Sequence, residues 1–313
     1  MIKIVEVGPR DGLQNETAPV PTGVKVAFID ALSASGVGEI EVSAFVSPRR
    51  VPQLADAQEV FDRIRRRDDV IYSALAPNEK GLDRALAARV DKVAVFTAAS
   101  ETFNKKNINA SIAESLRRFS PVILRAHRER IPVRGYVSAA FWCAFEGKIA
   151  PAAVVEVAGR LVDLGVSEVS ISDTVGKASP DEVKELLDLL LLRISPDQIA
   201  MHFHDTYGRA VENILASRVF GIEIFDSSTG GLGGCPFAPG ATGNVATEEV
   251  VSALESAGEA VGVDLEALTR ARHLLDPFVT DDRRTLPDED LPACTYCEYA
   301  TGPVCCKRRE VHG

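Results

Sequence analysis

Short runs of β-branched and apolar residues alternate along this chain with longer stretches whose apolar positions recur at helical spacing. Runs at 2–7, 39–45, 70–76, 92–97, 133–140, 168–172, 199–204 and 222–226 predict strands. The stretches between them, 23–35, 56–66, 80–88, 111–128, 152–164, 180–192 and 208–219, predict helices, with an eighth over 245–257. Pro180 suits a first helical turn, with Ser179 as its N-cap and Glu182 reaching back as a capping box. Strands each followed by a helix predict an α/β chain folded as a (β/α)8 TIM barrel rather than an open sheet. A doubly wound sheet would carry a phosphate loop after its first strand, and Gly8-Pro9-Arg10-Asp11-Gly12 lacks the G-x-G-x-x-G spacing. Further on, 263–275 reads as one more helix, a C-terminal helical extension. After it, 281–290 is a charged, Pro-punctuated linker, and 291–313 is a Cys-rich tail too poor in large apolar residues to form a core. The expected organisation is a barrel domain with its C-terminal helices over 1–280, then linker and tail over 281–313.

Composition narrows the function classes. The formal net charge of −10 argues against nucleic acid or an anionic membrane surface as the main partner. It leaves room for an anionic small molecule wherever Lys and Arg cluster. No charged-then-apolar leader is visible, and no apolar run approaches the ~18 residues of a membrane span. A cytoplasmic protein is expected, with its six cysteines reduced.

Candidate chemistry concentrates where strands end, because barrel enzymes build their sites at the C-terminal ends of their strands. Two of the five histidines, His202 and His204, sit two residues apart on a predicted strand, so both rings fall on one face. Two neutral imidazoles on one face make half of a metal site, or a pair of hydrogen-bonded core histidines. Strand one ends at Arg10 and Asp11, strand two holds Glu41 and Ser43, and strand six ends at Asp173. After the last strand comes the glycine-rich Gly230-Gly231-Leu232-Gly233-Gly234-Cys235, with Asn244 beyond it. A carboxylate, two imidazoles and a carboxamide oxygen suit an octahedral divalent ion with places left for a bidentate oxygen substrate. Cys235, on a loop rich in glycine, suits an acid or base that closes over substrate better than a zinc ligand.

Four runs carry a family resemblance: Val5-Glu6-Val7-Gly8-Pro9-Arg10-Asp11-Gly12-Leu13-Gln14-Asn15-Glu16, Asn104-Lys105-Lys106-Asn107-Ile108-Asn109, His202-Phe203-His204-Asp205-Thr206-Tyr207-Gly208 and Gly231-Leu232-Gly233-Gly234-Cys235-Pro236-Phe237-Ala238. Over roughly residues 1–260 the chain resembles the 3-hydroxy-3-methylglutaryl-CoA lyase family. The resemblance implies a metal-dependent retro-Claisen lyase that yields acetyl-CoA and acetoacetate. It implies Asp11, His202, His204 and Asn244 as Mg²⁺ or Mn²⁺ ligands, and Arg10, Asp11, Glu41, His202 and Cys235 as the catalytic group. Substrate contacts are expected from Arg10, Gln14, Asp173, Lys105, Lys106, Asn107 and Trp142, with Arg49, Arg50 and Lys148 as further candidates for the CoA phosphates. Which of Asp11, His202 and Glu41 removes the hydroxyl proton stays open at this stage.

The chain departs from the family pattern in two places. Trp142 stands where a Gly usually precedes the Cys, Ser172 where a Gly precedes the Asp, Lys177-Ala178 for Val-Gly, and Thr229-Gly230 for Val-Ala. These changes raise an alternative acyl group, citramalyl-CoA or a longer-branched 3-hydroxyglutaryl-CoA, with unchanged chemistry. In the tail, Cys294, Cys297, Cys305 and Cys306 permit a structural Zn²⁺ site, a redox pair or no site at all. An acetyl-CoA-dependent condensing enzyme and a non-catalytic acyl-CoA-binding barrel are the remaining readings, the latter opposed by the intact ligand set and Cys235. A small-molecule acyl-CoA is the expected partner, with a homodimer left open.

Overall fold

The computed structural model describes residues 2–234 and 243–279. Its strands are β1 (Lys3–Glu6), β2 (Glu39–Ala44), β3 (Ile71–Leu75), β4 (Lys92–Ala98), β5 (Val133–Ser138), β6 (Trp142–Cys143), β7 (Gly147–Lys148), β8 (Glu168–Asp173), β9 (Ile199–Phe203) and β10 (Ile224–Ser227). All but β6 and β7 close into a barrel in the order β1-β10-β9-β8-β5-β4-β3-β2. Every pairing in it is parallel. The helices are α1 (Thr22–Ser33), α2 (Ala57–Arg63), α3 (Glu79–Ala87), α4 (Glu101–Ile108), α5 (Ile112–Arg128), α6 (Pro151–Leu164), α7 (Pro180–Leu190), α8 (Ala210–Arg218), α9 (Thr247–Ser256) and α10 (Leu265–His273). This is the (β/α)8 architecture expected from the alternation, and α10 is the expected C-terminal extension. It docks on the N-terminal part of the barrel, where the Asp264 amide donates to the Ser35 carbonyl at 2.7 Å. The Cys-rich tail lies outside the described residues.

Alternation along the strands sorts the side chains. On β2, Ile40 and Val42 join the apolar layer between strands and helices, while Glu39 and Glu41 reach Lys92 and Arg10. At the N-terminal end of the barrel the interior is filled by charge. Glu39 lies 2.5 Å from Lys3 and 2.6 Å from Lys92, and Glu168 lies 3.4 Å from Lys92 and 3.2 Å from Arg134. Arg134 then reaches Asp226 at 2.5 Å. Such groups persist in a dry interior only when paired.

Caps and connections position the functional ends. Ser179 caps α7 as expected, its Oγ accepting from the Glu182 amide at 3.3 Å while the Glu182 carboxylate accepts from the Ser179 amide at 2.9 Å. Two elements were not expected. The Asn104–Asn109 run lies largely on a helix, α4, capped by Ser100, because that short polar segment shows no apolar stripe to betray it. The antiparallel pair β6–β7 forms a hairpin on the connection after β5.

Candidate active site

Seven side chains converge at the C-terminal end of the barrel. The chain leaves β1 through a tight helical turn over Gly8–Gly12, in which the Asp11 and Gly12 amides both donate to the Val7 carbonyl, at 2.7 and 3.2 Å. That turn presents Arg10 and Asp11 to the barrel mouth. Arg10 donates from Nε to Glu41 at 2.6 Å and from a terminal nitrogen to Asp11 Oδ1 at 2.6 Å. Its guanidinium also lies over the Tyr136 ring, 5.5 Å from the centroid, and Tyr136 donates its hydroxyl to Glu41 at 3.1 Å. His202 is the penultimate residue of β9, His204 lies just beyond the strand, and their rings are 5.4 Å apart. Asn244 pairs in an isolated bridge with His204 and donates to Asp11 Oδ2 at 2.9 Å and to the Leu232 carbonyl at 3.0 Å.

Asp11, His202 and His204 each offer one ligand atom, and the three atoms lie within 4.8 Å of one another. Two observations test whether they suit a cation. The buried Nδ1 of His204 has no hydrogen-bond partner, which is costly for a polar atom unless something else satisfies it. Nδ1 of His202 is taken by Asp226 Oδ2 at 3.2 Å, which leaves its Nε2 free. Burial, with His202 beside it, pushes the His204 imidazolium down to about 4, so the ring is a neutral donor at pH 7. Burial alone would raise the Asp11 carboxyl, but Arg10 and the two imidazoles outweigh it and hold it at about 2. The donor set fits a divalent cation: one guanidinium faces two carboxylates here, and both imidazoles supply lone pairs.

These groups open onto a cavity of about 130 Å³ lined by Arg10, Asp11, Tyr136, Ser172, His202 and His204 among others. A larger groove of about 1060 Å³ adjoins it, and Gln14, Asn15, Leu75, Phe96 and Asn107 line both. Arg50 and Arg118 line the groove. Gly233 closes the opposite side with φ +101°, and a Cβ there would meet Asn244 Nδ2 at 2.8 Å and Gly12 Cα at 3.0 Å. Only glycine tolerates both that backbone and that closeness.

The structure brings Arg10, Asp11, Gln14, Asn107, His202 and His204 to the cavity wall, with Asn244 directly behind Asp11. Glu41 is not on that wall. It is buried beneath Arg10, accepting from its guanidinium, and burial keeps its carboxyl raised despite that charge. Asp173 is also absent from the wall, because its carboxylate turns back to accept from the Gly176 and Ala178 amides at 3.1 and 2.8 Å. Burial raises it to about 6 in spite of those amides. Lys105 and Lys106 end α4 without lining either cavity, and Lys106 Nζ sits 4.8 Å over the Phe145 ring. Trp142 packs outward from the site: Lys177 Nζ lies 4.2 Å over its ring, and its Nε1 donates to Glu182 at 3.4 Å. Lys148 pairs with the same Glu182 at 3.0 Å. Two of the departures from the family pattern, Trp142 and Lys177, are therefore one contact on the rim. Cys235 lies outside the described residues.

Sequence reading missed Tyr136 and Asp226. Tyr136 lies between two guanidinium groups, with Arg134 4.8 Å from its ring centroid on one side and Arg10 on the other. Both residues sit inside strands, and only their alternation with apolar neighbours marks them as interior.

Comparisons with known proteins point to one family. A family model described as HMGL-like matches residues 1–275. The chain is 51% identical over 270 residues to the cytoplasmic 3-hydroxy-3-methylglutaryl-CoA lyase of Rattus norvegicus, covering 86% of this chain and 79% of the relative. It is 48% identical over 270 residues to a 3-hydroxy-3-isohexenylglutaryl-CoA/hydroxy-methylglutaryl-CoA lyase of Pseudomonas aeruginosa, covering 86% and 90%. The crystal structure of the HMG-CoA lyase from Brucella melitensis superposes with a TM-score of 0.86 at 49% identity, covering 88% of this chain and 98% of that one.

Proposed function

Because the chain belongs to the 3-hydroxy-3-methylglutaryl-CoA lyase family, we propose that it performs the reaction for which these relatives are named, cleavage of 3-hydroxy-3-methylglutaryl-CoA to acetyl-CoA and acetoacetate. The observation that carries the reading is the convergence of Asp11, His202 and His204 beside Arg10 at the mouth of one cavity. Asp11, His202, His204 and Asn244 would hold one Mg²⁺ or Mn²⁺. Bound there, the ion would lower the pKa of the substrate's 3-hydroxyl and neutralise its distal carboxylate.

The remaining work falls to the chain's own groups. In the reaction the hydroxyl passes its proton to a base, for which Asp11 and His202 on the cavity wall are the candidates, the C2–C3 bond breaks, a ketone forms, and the electron pair passes to the thioester enolate. Arg10 stabilises the enolate oxygen with a guanidinium that Glu41, Asp11 and Tyr136 hold in place, so little reorganisation accompanies the chemistry. Asp11, held at about 2, is ionised at neutral pH, as a ligand or a base must be. The proton that C2 then takes up is assigned to Cys235. The acyl chain occupies the smaller cavity and the CoA moiety the adjoining groove, whose Arg50 and Arg118 suit its phosphates. The contacts of Trp142 with Lys177 and Glu182 weaken it as an argument for a different acyl group. The double name of the Pseudomonas aeruginosa relative is the one observation favouring a longer-branched ester as a second substrate.

The cytoplasmic setting is supported by the rat relative's name, and among the described residues no helix is long and apolar enough to cross a membrane. The division at 280 and 281, the homodimer and the tail zinc site remain parts of the proposal. Acetoacetate release from 3-hydroxy-3-methylglutaryl-CoA by metal-stripped protein, before and after adding Mg²⁺ or Mn²⁺, tests the reading. Turnover of about 10 s⁻¹ or more that needs the metal is expected, as for an ordinary enzyme. No turnover with metal added overturns it.

A further inference from the structure

His202 is tied into the ion pairs of the barrel interior. Asp226 on β10 lies directly across from His202 on β9 in the register of the two strands. Asp226 Oδ2 is 3.2 Å from His202 Nδ1 and accepts from Ser170 Oγ at 3.0 Å, while Oδ1 is 2.5 Å from Arg134. Arg134 and Asp226 are each 1% exposed, so neither is screened by water. Asp226 is ionised against that guanidinium and can only accept hydrogen bonds. The hydrogen between Asp226 and His202 is therefore carried by Nδ1. In the neutral ring the lone pair then belongs to Nε2.

We propose that Asp226, held by Arg134, is a positioning residue that fixes the tautomer and ring plane of His202, so that Nε2 is the atom offered to a divalent cation beside Asp11 and His204. The inference rests on the metal reading of the preceding subsection. Asp226 is not on the cavity wall, so it acts through the imidazole alone. An amide in its place can donate to Nδ1, and a ring that accepts at Nδ1 carries its proton on Nε2, the atom the ion needs.

The test uses the metal-free full chain titrated with Mn²⁺, with free ion read by electron paramagnetic resonance, for the wild type and Asp226→Asn. Wild-type binding with an affinity about 10–100-fold tighter than the variant's is expected, the usual worth of such a partner. Metal-free thermal unfolding of both proteins reports on the fold separately. In ¹⁵N-histidine spectra of the metal-free wild type, His202 is expected as the Nδ1–H tautomer, and in the variant as Nε2–H. Equal Mn²⁺ affinities, or an Nε2–H signal in the wild type, overturn the proposal. If the variant does not fold, the wild-type spectrum decides. A wild type that takes up no Mn²⁺ brings down the metal reading, and the wild-type spectrum still decides whether Asp226 sets the tautomer.

Discussion

The two ends of the barrel interior are both charged, and they differ in balance. At the N-terminal end, Lys3, Lys92 and Arg134 face Glu39, Glu168 and Asp226, cation against carboxylate. At the C-terminal end one guanidinium faces two carboxylates, with two imidazoles beside them and a buried Nδ1 left without a partner. The first arrangement is closed: its charges answer one another, and it reaches the second only through Asp226, which pairs with Arg134 and with His202. The second is open, short of positive charge and next to a cavity. Balance of charge, rather than its presence, separates scaffold from site in this barrel.

If that contrast is sound, damage to the two ends has different readouts. Asp11→Ala removes a ligand and a fixed negative charge. It is expected to lower kcat/KM by about 10³-fold or more, equivalent to about 4 kcal/mol, with little change in chemical unfolding. A large stability loss in that variant would break the comparison, because it would make the open end a scaffold too. Lys92→Met should do the reverse. It leaves Glu39 with Lys3 alone and takes one cation from Glu168, which keeps Arg134, in a region where Lys92 itself is 5% exposed, and losing one partner of a buried pair costs up to about 3–5 kcal/mol. Urea unfolding is expected to show that loss while kcat of the folded fraction stays close to wild type. A drop in kcat beyond tenfold would mean that the closed end reaches into the chemistry. The smallest effect is expected on the rim, where a double-mutant cycle of Trp142→Leu and Lys177→Val should give a coupling of about 0.5–1 kcal/mol. In the same cycle KM for the acyl-CoA is expected to stay unchanged, and a shift in KM would place Trp142 among the substrate contacts after all.

The barrel was legible because period-two and helical spacing alternate cleanly along the sequence, and strand ends then pointed to Arg10, Asp11, His202 and His204. What position could not reveal was the direction of each side chain. Asp173 also ends a strand, yet the Gly176 and Ala178 amides in the following turn draw its carboxylate inward and away from the cavity. The two lysines of the 104–109 run looked like a phosphate contact, but one of them found an aromatic face first. Trp142 and Lys177 are 35 residues apart, and nothing in the chain says that they touch. Asp226 was passed over as a strand residue, although its place opposite His202 follows from the register once the barrel is closed.

The closed end also bears on how the chain reaches its native state. Its ion pairs draw on β1, β2, β4, β5, β8 and β10. A fragment ending after β4 would hold Lys3 and Lys92 against Glu39 alone, and the complementary fragment would hold Arg134 against Glu168 and Asp226. At this end of the interior, each half thus has a surplus charge of opposite sign to the other. Half-barrels are disfavoured as stable species, and ring closure becomes the step at which the surplus disappears. Electrostatics at this end therefore favours closing the whole ring over either half.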